Sequence, residues 1–182
     1  MWKTVIKGAV IGGIIVFVWG MISWGLLPWH RMNMHHFSNG SRVADVIQNN
    51  TMEDGIYVYS SHMHHTSHCG ECKSSDGSGP FIFAAVSKNG INMKGTHLLV
   101  RGLIVNIIAA FFVTWMLYRT KSHPYWHKVG FFVLAALFAG FAVNFPHWNW
   151  MGFPFSYALV SVVDLVIGWF LAGLAVAKIV RK

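Results

Sequence analysis

The chain has 182 residues, of which 54% are hydrophobic and only 11% charged, with a formal net charge of +8. Soluble domains carry nearer a quarter charged residues, so the composition argues for a membrane protein, and fourteen Phe and nine Trp strengthen that case. The positive balance first suggests nucleic acid or an acidic partner, but that reading fails once the charges are placed along the chain.

The first apolar run, residues 4–27, begins after Lys3 and contains Lys7 near its start. Its apolar core is too long for a secretory signal, and "SWGLLPWH" offers no A-x-A-like cleavage site, so an uncleaved transmembrane anchor is expected. Residues 28–97 follow as a polar segment too long for a simple connection. Within it, "SRVADVIQNN" predicts a helix over about 41–49, with Ser41 as N-cap and Val43, Val46 and Ile47 on one face. "GIYVYS" (55–60) and "GPFIFAAVS" (79–87) read as two strands of an antiparallel hairpin, the second closed by the Asn89-Gly90 turn. Residues 61–78 form the connection, rich in His, Ser and Gly. The helix is expected to pack on the hairpin as a small α+β insertion.

Three further apolar runs cover residues 98–118, 129–145 and 156–177. Each of the four runs is long enough to cross ~30 Å of hydrocarbon at ~1.5 Å per residue. Backbone groups in lipid must pair internally, so all four are read as helices. The fold class is therefore a membrane all-α, four-transmembrane-helix bundle with an α+β extracytoplasmic insertion between the first and second spans.

Orientation follows from the basic residues flanking the spans. One side holds Lys3, Lys7, Arg119, Lys121, Lys128, Lys178, Arg181 and Lys182 with no acid. The other holds Arg31, Arg42, Lys73, Lys88, Lys94 and Arg101 against Asp45, Glu53, Asp54, Glu71 and Asp76. The first side is assigned to the cytoplasm, with both termini. It accounts for the whole +8, because the other six basic residues cancel these five acids and Asp164. The charge is a topology signal, and no nucleic-acid partner is needed to explain it. Trp24, Trp29, Trp148 and Trp150 at one boundary, and Trp2 and Trp126 at the other, fit the interfacial aromatic belts.

The stretch "HMHHTSHCGEC" carries the densest chemistry. Cys69 and Cys72 can close a disulfide or bind a metal as thiolates, with His62, His64, His65 and His68 beside them. Thiolate with imidazole suits Zn or Cu, and Met63 would favour Cu(I). The spacing lacks the long separation between ligand pairs of a zinc finger. A second group, "WHRMNMHHF", supplies His30, Met32, Met34, His35 and His36, of which His35 and His36 are candidates to share the metal. The competing reading is a tolerated polar loop with a small disulfide.

Asp164 is the only acid inside a span, and an intramembrane carboxylate is a functional-site candidate by default. Counting inward from the span ends puts it ~12 Å deep, level with Asn106 on the second span. Arg101 lies closer to the surface, within inward reach. The functional reading is a proton or cation site. The structural reading, which is preferred, is a helix-packing hydrogen bond from Asp164 to Asn106 or Arg101. Small-residue pairs such as Gly8/Gly12 and Gly168/Ala172 provide for close helix approach.

No G-x-S-x-G, Walker A, H-E-x-x-H or dinucleotide fingerprint occurs, and a non-enzymatic role is expected. In the order of "GIYVYS", "GPFIFAAV", "WNWMGF" and "DLVIGWFLAG" the chain resembles a family of small bacterial four-helix inner-membrane proteins with no known activity. That resemblance implies a bacterial inner membrane and nothing about function. Metal binding by the extracytoplasmic His/Cys/Met-rich segment is the first functional expectation, with Zn or Cu as ligand. An accessory or assembly subunit of a larger membrane complex, and a small oligomeric transporter using Asp164, are the alternatives. The expected partners are the lipid bilayer and other membrane proteins or further copies of the chain.

Overall fold

The computed structural model describes residues 2–60, 80–92, 95–120 and 123–180. Eight elements follow in order: α1 (Trp2–Leu26), a 3-10 turn (Arg31–Asn33), α2 (Gly40–Asn50), β1 (Gly55–Tyr59), β2 (Ile82–Val86), α3 (Thr96–Arg119), α4 (Tyr125–Met151) and α5 (Phe155–Ile179). α1, α3, α4 and α5 are each long and apolar enough to cross a membrane, with mean hydropathy of 2.0 to 2.3 over their apolar windows. They alternate in direction. One end of the bundle therefore carries the start of α1, the end of α3, the start of α4 and the end of α5, and the other carries residues 27–60, 80–92 and the α4–α5 turn.

The four spans do not close into an even square. α1 packs on α3 and α5, and α5 packs on α1 and α4, while α3 and α4 barely touch. The order across the bundle is α3–α1–α5–α4. α5 is accordingly the most buried span, at 33% of its apolar window, and α3 the least, at 11%. Lipid tails are as apolar as leucine, so close packing rather than the hydrophobic effect must hold such helices together. Gly13 is where α1 meets α3 most closely: a Cβ there would lie 2.6 Å from the Ile107 Cα. The buried centre is built from Val16, Ala110, Leu117, Phe132, Ala136, Trp169, Ala172 and Val176, whereas Val105, Leu134 and Phe138 point outward and are largely exposed.

Two polar ties close the termini end. The Tyr125 hydroxyl donates to the Leu174 carbonyl at 2.9 Å. The buried Lys128 ammonium donates to the Val180 carbonyl at 2.6 Å, satisfying an acceptor that the end of α5 leaves without a helical partner.

Several element ends depart from the sequence reading. α4 runs on past residue 145, through Pro146, to Met151. Gly152 then stops it in the left-handed region, φ 69°, and both the Gly152 and Phe153 amides donate back to the His147 carbonyl, a left-handed glycine closing the helix end. Only residues 152–154 connect α4 to α5. On α2 the N-cap is Asn39, not Ser41: the Asn39 side-chain oxygen accepts from the Arg42 amide at 3.0 Å, and Ser41 donates to the same oxygen. No residue of the helix is fully buried; on its apolar face Val43 and Ile47 are half-buried and Val46 is exposed. Its link to the hairpin is polar. The Lys88 ammonium donates to the Thr51 carbonyl and the Lys88 amide to the Asp54 carboxylate. β1 and β2 pair antiparallel with Gly55 opposite Val86 and Tyr59 opposite Ile82. β2 starts after Pro80, which has no N–H to give a ladder.

Candidate functional site

The chain turns back immediately after α1. Pro28 follows the helix, the Met32 amide donates to the Pro28 carbonyl, and the Arg31 guanidinium donates to the Gly25 carbonyl. Asn33 fixes the turn from both sides. Its amide donates to the Trp29 carbonyl, and its side-chain oxygen accepts from the Ser156 hydroxyl at the start of α5. This return drives His30 into the bundle, where it is 1% exposed.

His30 meets three elements there. Its ring lies flat on Trp24, with centroids 3.9 Å apart and planes 7° from parallel, and Trp29 meets it edge-on. Its Nε2 lies 3.1 Å from the Ser23 hydroxyl and 3.4 Å from Asp164 Oδ2. The other carboxylate oxygen, Oδ1, accepts from the Trp19 indole at 2.7 Å, and the same indole N–H reaches the Asp164 carbonyl at 3.2 Å. The Trp29 indole donates to the Ser23 hydroxyl at 3.0 Å. α1 thus contributes Trp19, Ser23 and Trp24, the return contributes Trp29 and His30, and α5 contributes Asp164.

The spacing along each helix explains the assembly. Trp19 and Ser23 stand four residues apart, on one face of α1. Asp164 and Gly168 stand four apart on α5. A Cβ at Gly168 would lie 2.8 Å from Trp19 Cδ1, so the glycine leaves the space into which the indole swings to reach the carboxylate.

An indole N–H only donates, so Trp19 and Trp29 each give their proton, to Asp164 and to Ser23. The His30 Nε2 faces both the Ser23 hydroxyl and Asp164 Oδ2. Nδ1 is buried and has no hydrogen-bond partner among the described residues. The site is therefore a carboxylate anchored by an indole and an imidazole held against it, enclosed by three tryptophans.

The pairing expected for Asp164 is corrected here. The Asn106 amide donates to the Gly102 carbonyl on its own helix at 2.9 Å, and Arg101 is exposed. Equal depth does not bring either to Asp164, because α3 packs on α1 rather than on α5. Gly20, next to Trp19, meets nothing within 4 Å of its would-be Cβ. His30, which the sequence groups with His35 and His36, is buried, whereas His35 and His36 are both exposed. His62, His64, His65, His68, Cys69 and Cys72 lie outside the described residues. Among the described residues, no group of three or more His, Cys, Asp or Glu side chains is placed to hold a metal ion.

Compared with known proteins, the chain matches no family model, no curated protein and no solved structure.

Proposed function

We propose that the protein is a non-enzymatic, multi-pass protein of a bacterial inner membrane, with cytoplasmic termini, whose working centre is the Asp164–His30 pair. The pair acts as a latch that holds the return after α1, residues 27–33, against the bundle. The observation that carries this reading is His30 itself: buried and 3.4 Å from a carboxylate oxygen of α5. Together with the hydrogen bond from Ser156 to Asn33, the pair ties the return to α5.

The stacked Trp24 supplies the readout, since its emission depends on what lies against the indole. Tryptophan emission of the reconstituted protein is measured with a water-soluble quencher. The expected result is easier quenching in His30→Gln and in Asp164→Asn, as the return loosens from the bundle. Identical quenching of all three proteins would overturn the latch.

A second reading, capture of Zn or Cu outside the bilayer, is favoured by the donor set of residues 62–72. A His/Cys/Met set of this density suits either metal. Metal analysis of the purified protein tests it: stoichiometric metal lost in Cys69→Ser/Cys72→Ser supports the reading. Binding weaker than micromolar in the unaltered protein removes it.

A further inference from the structure

The termini end of the bundle holds a second feature of unlike chemistry. Lys3 and Lys7, one helical turn apart on α1, and Lys178, in the last turn of α5, line a single open pocket of about 400 Å³ with Thr4 and Ile179. All three lysines are exposed. None of their ammonium groups has an acceptor or a carboxylate partner among the described residues, and the described acids Asp45, Glu53, Asp54 and Asp164 all belong to the opposite half of the molecule. The Val180 carbonyl just past the end of α5 is already taken by Lys128. The start of α1 adds unpaired backbone N–H groups and the positive end of its dipole. The pocket is therefore a concentrated positive charge with no acid among the described residues to balance it, at the level where a span leaves the hydrocarbon.

We propose that this pocket binds the phosphate-bearing headgroup of an anionic phospholipid, with Lys3, Lys7 and Lys178 around the phosphate and the Thr4 hydroxyl beside it. Ile179 forms the apolar wall along which the acyl chains descend. Basic pockets between span ends recognise acidic headgroups in this way, and the rim of apolar and polar residues suits a lipid better than a free ion. A purely topological role for the lysines would require no shared pocket, and would be served equally by any basic residue at this end.

The test is mass spectrometry of the intact protein released from nanodiscs containing phosphatidylglycerol and phosphatidylcholine in equal amounts. The expected result is selective retention of phosphatidylglycerol, weakened about fivefold by each lysine removed. Lys3→Gln, Lys7→Gln and Lys178→Gln are made singly and together. Arg119→Gln, at the same end but stacked on Trp115 at 5.7 Å, is the control and should retain the lipid. The single variants keep the result readable if the triple variant does not fold. Equal retention of both lipids, or equal losses in Arg119→Gln and the lysine variants, would overturn the site. Displacement of the lipid by millimolar inorganic phosphate would overturn its assignment to a lipid.

Discussion

Replacing Gly168 with Ala probes the site without touching any of its polar groups. The added Cβ would lie 2.8 Å from Trp19 Cδ1, whereas carbon atoms rest at about 3.5–4.0 Å. The indole must retreat by roughly 0.7 Å or more. Its bond to Asp164 Oδ1, now 2.7 Å, then stretches to the limit of hydrogen-bonding distance. Overpacking costs about 1–3 kcal/mol, and losing a hydrogen bond to a charged group about 1.5–3 kcal/mol. The two overlap, because the retreat relieves the clash. Alanine returns about 1 kcal/mol through its higher helix propensity. The net expectation is a loss of about 1–3 kcal/mol, measured as thermal or detergent-induced unfolding of the purified protein. In a Trp19→Leu background the clash is gone, and the same substitution should be neutral or slightly stabilising. Gly168→Ala as stable as the unaltered protein in the Trp19 background would refute the placement of Trp19 against Asp164.

Other substitutions separate the parts of the structure. Ser23→Ala leaves the Trp29 indole without an acceptor and should cost about 1–3 kcal/mol, read by the same unfolding assay. Gly13→Ala drives a Cβ into the Ile107 backbone and should disrupt α1–α3 packing, while Gly20→Ala meets nothing within 4 Å and should leave the melting temperature unchanged or raised. Lys128→Met removes the donor to the Val180 carbonyl and should destabilise by about 1.5–3 kcal/mol, with hydrogen exchange rising first at the end of α5. Asp164→Asn should lower accumulation of the protein in the membrane, measured by quantitative immunoblotting, since it weakens the hold on both Trp19 and His30.

The four spans were legible because each is an unbroken apolar run, and lipid leaves a helix as its only conformation. Their ends were less so. The third run stops at residue 145, where "FPHWNWMGF" brings in proline and polar residues, yet Pro146 sits inside α4 and the helix ends only where Gly152 adopts positive φ. Asp164 stood out as a lone intramembrane acid, but its partners did not. Counting depth compares helices without knowing which are neighbours, and the α3–α1–α5–α4 order keeps Asn106 from α5. The signals that could have found the true partners were Trp19 and Ser23 one turn apart on α1, and Gly168 one turn after Asp164. "LPWH", a proline just past a span, returns the chain to that span. His30 was hidden because a histidine next to a span end is ordinarily a boundary residue, and only the tertiary return of residues 27–33 buries it.

The interaction between His30 and Asp164 is measured most directly by a double-mutant cycle with His30→Gln, Asp164→Asn and the combined variant. A contact pair in one hydrogen-bond network gives coupling of about 0.5–3 kcal/mol, and burial of the pair places the expected value in the upper half of that range. Additive effects within about 0.3–0.5 kcal/mol would mean that the two side chains do not act on each other, and would contradict the latch.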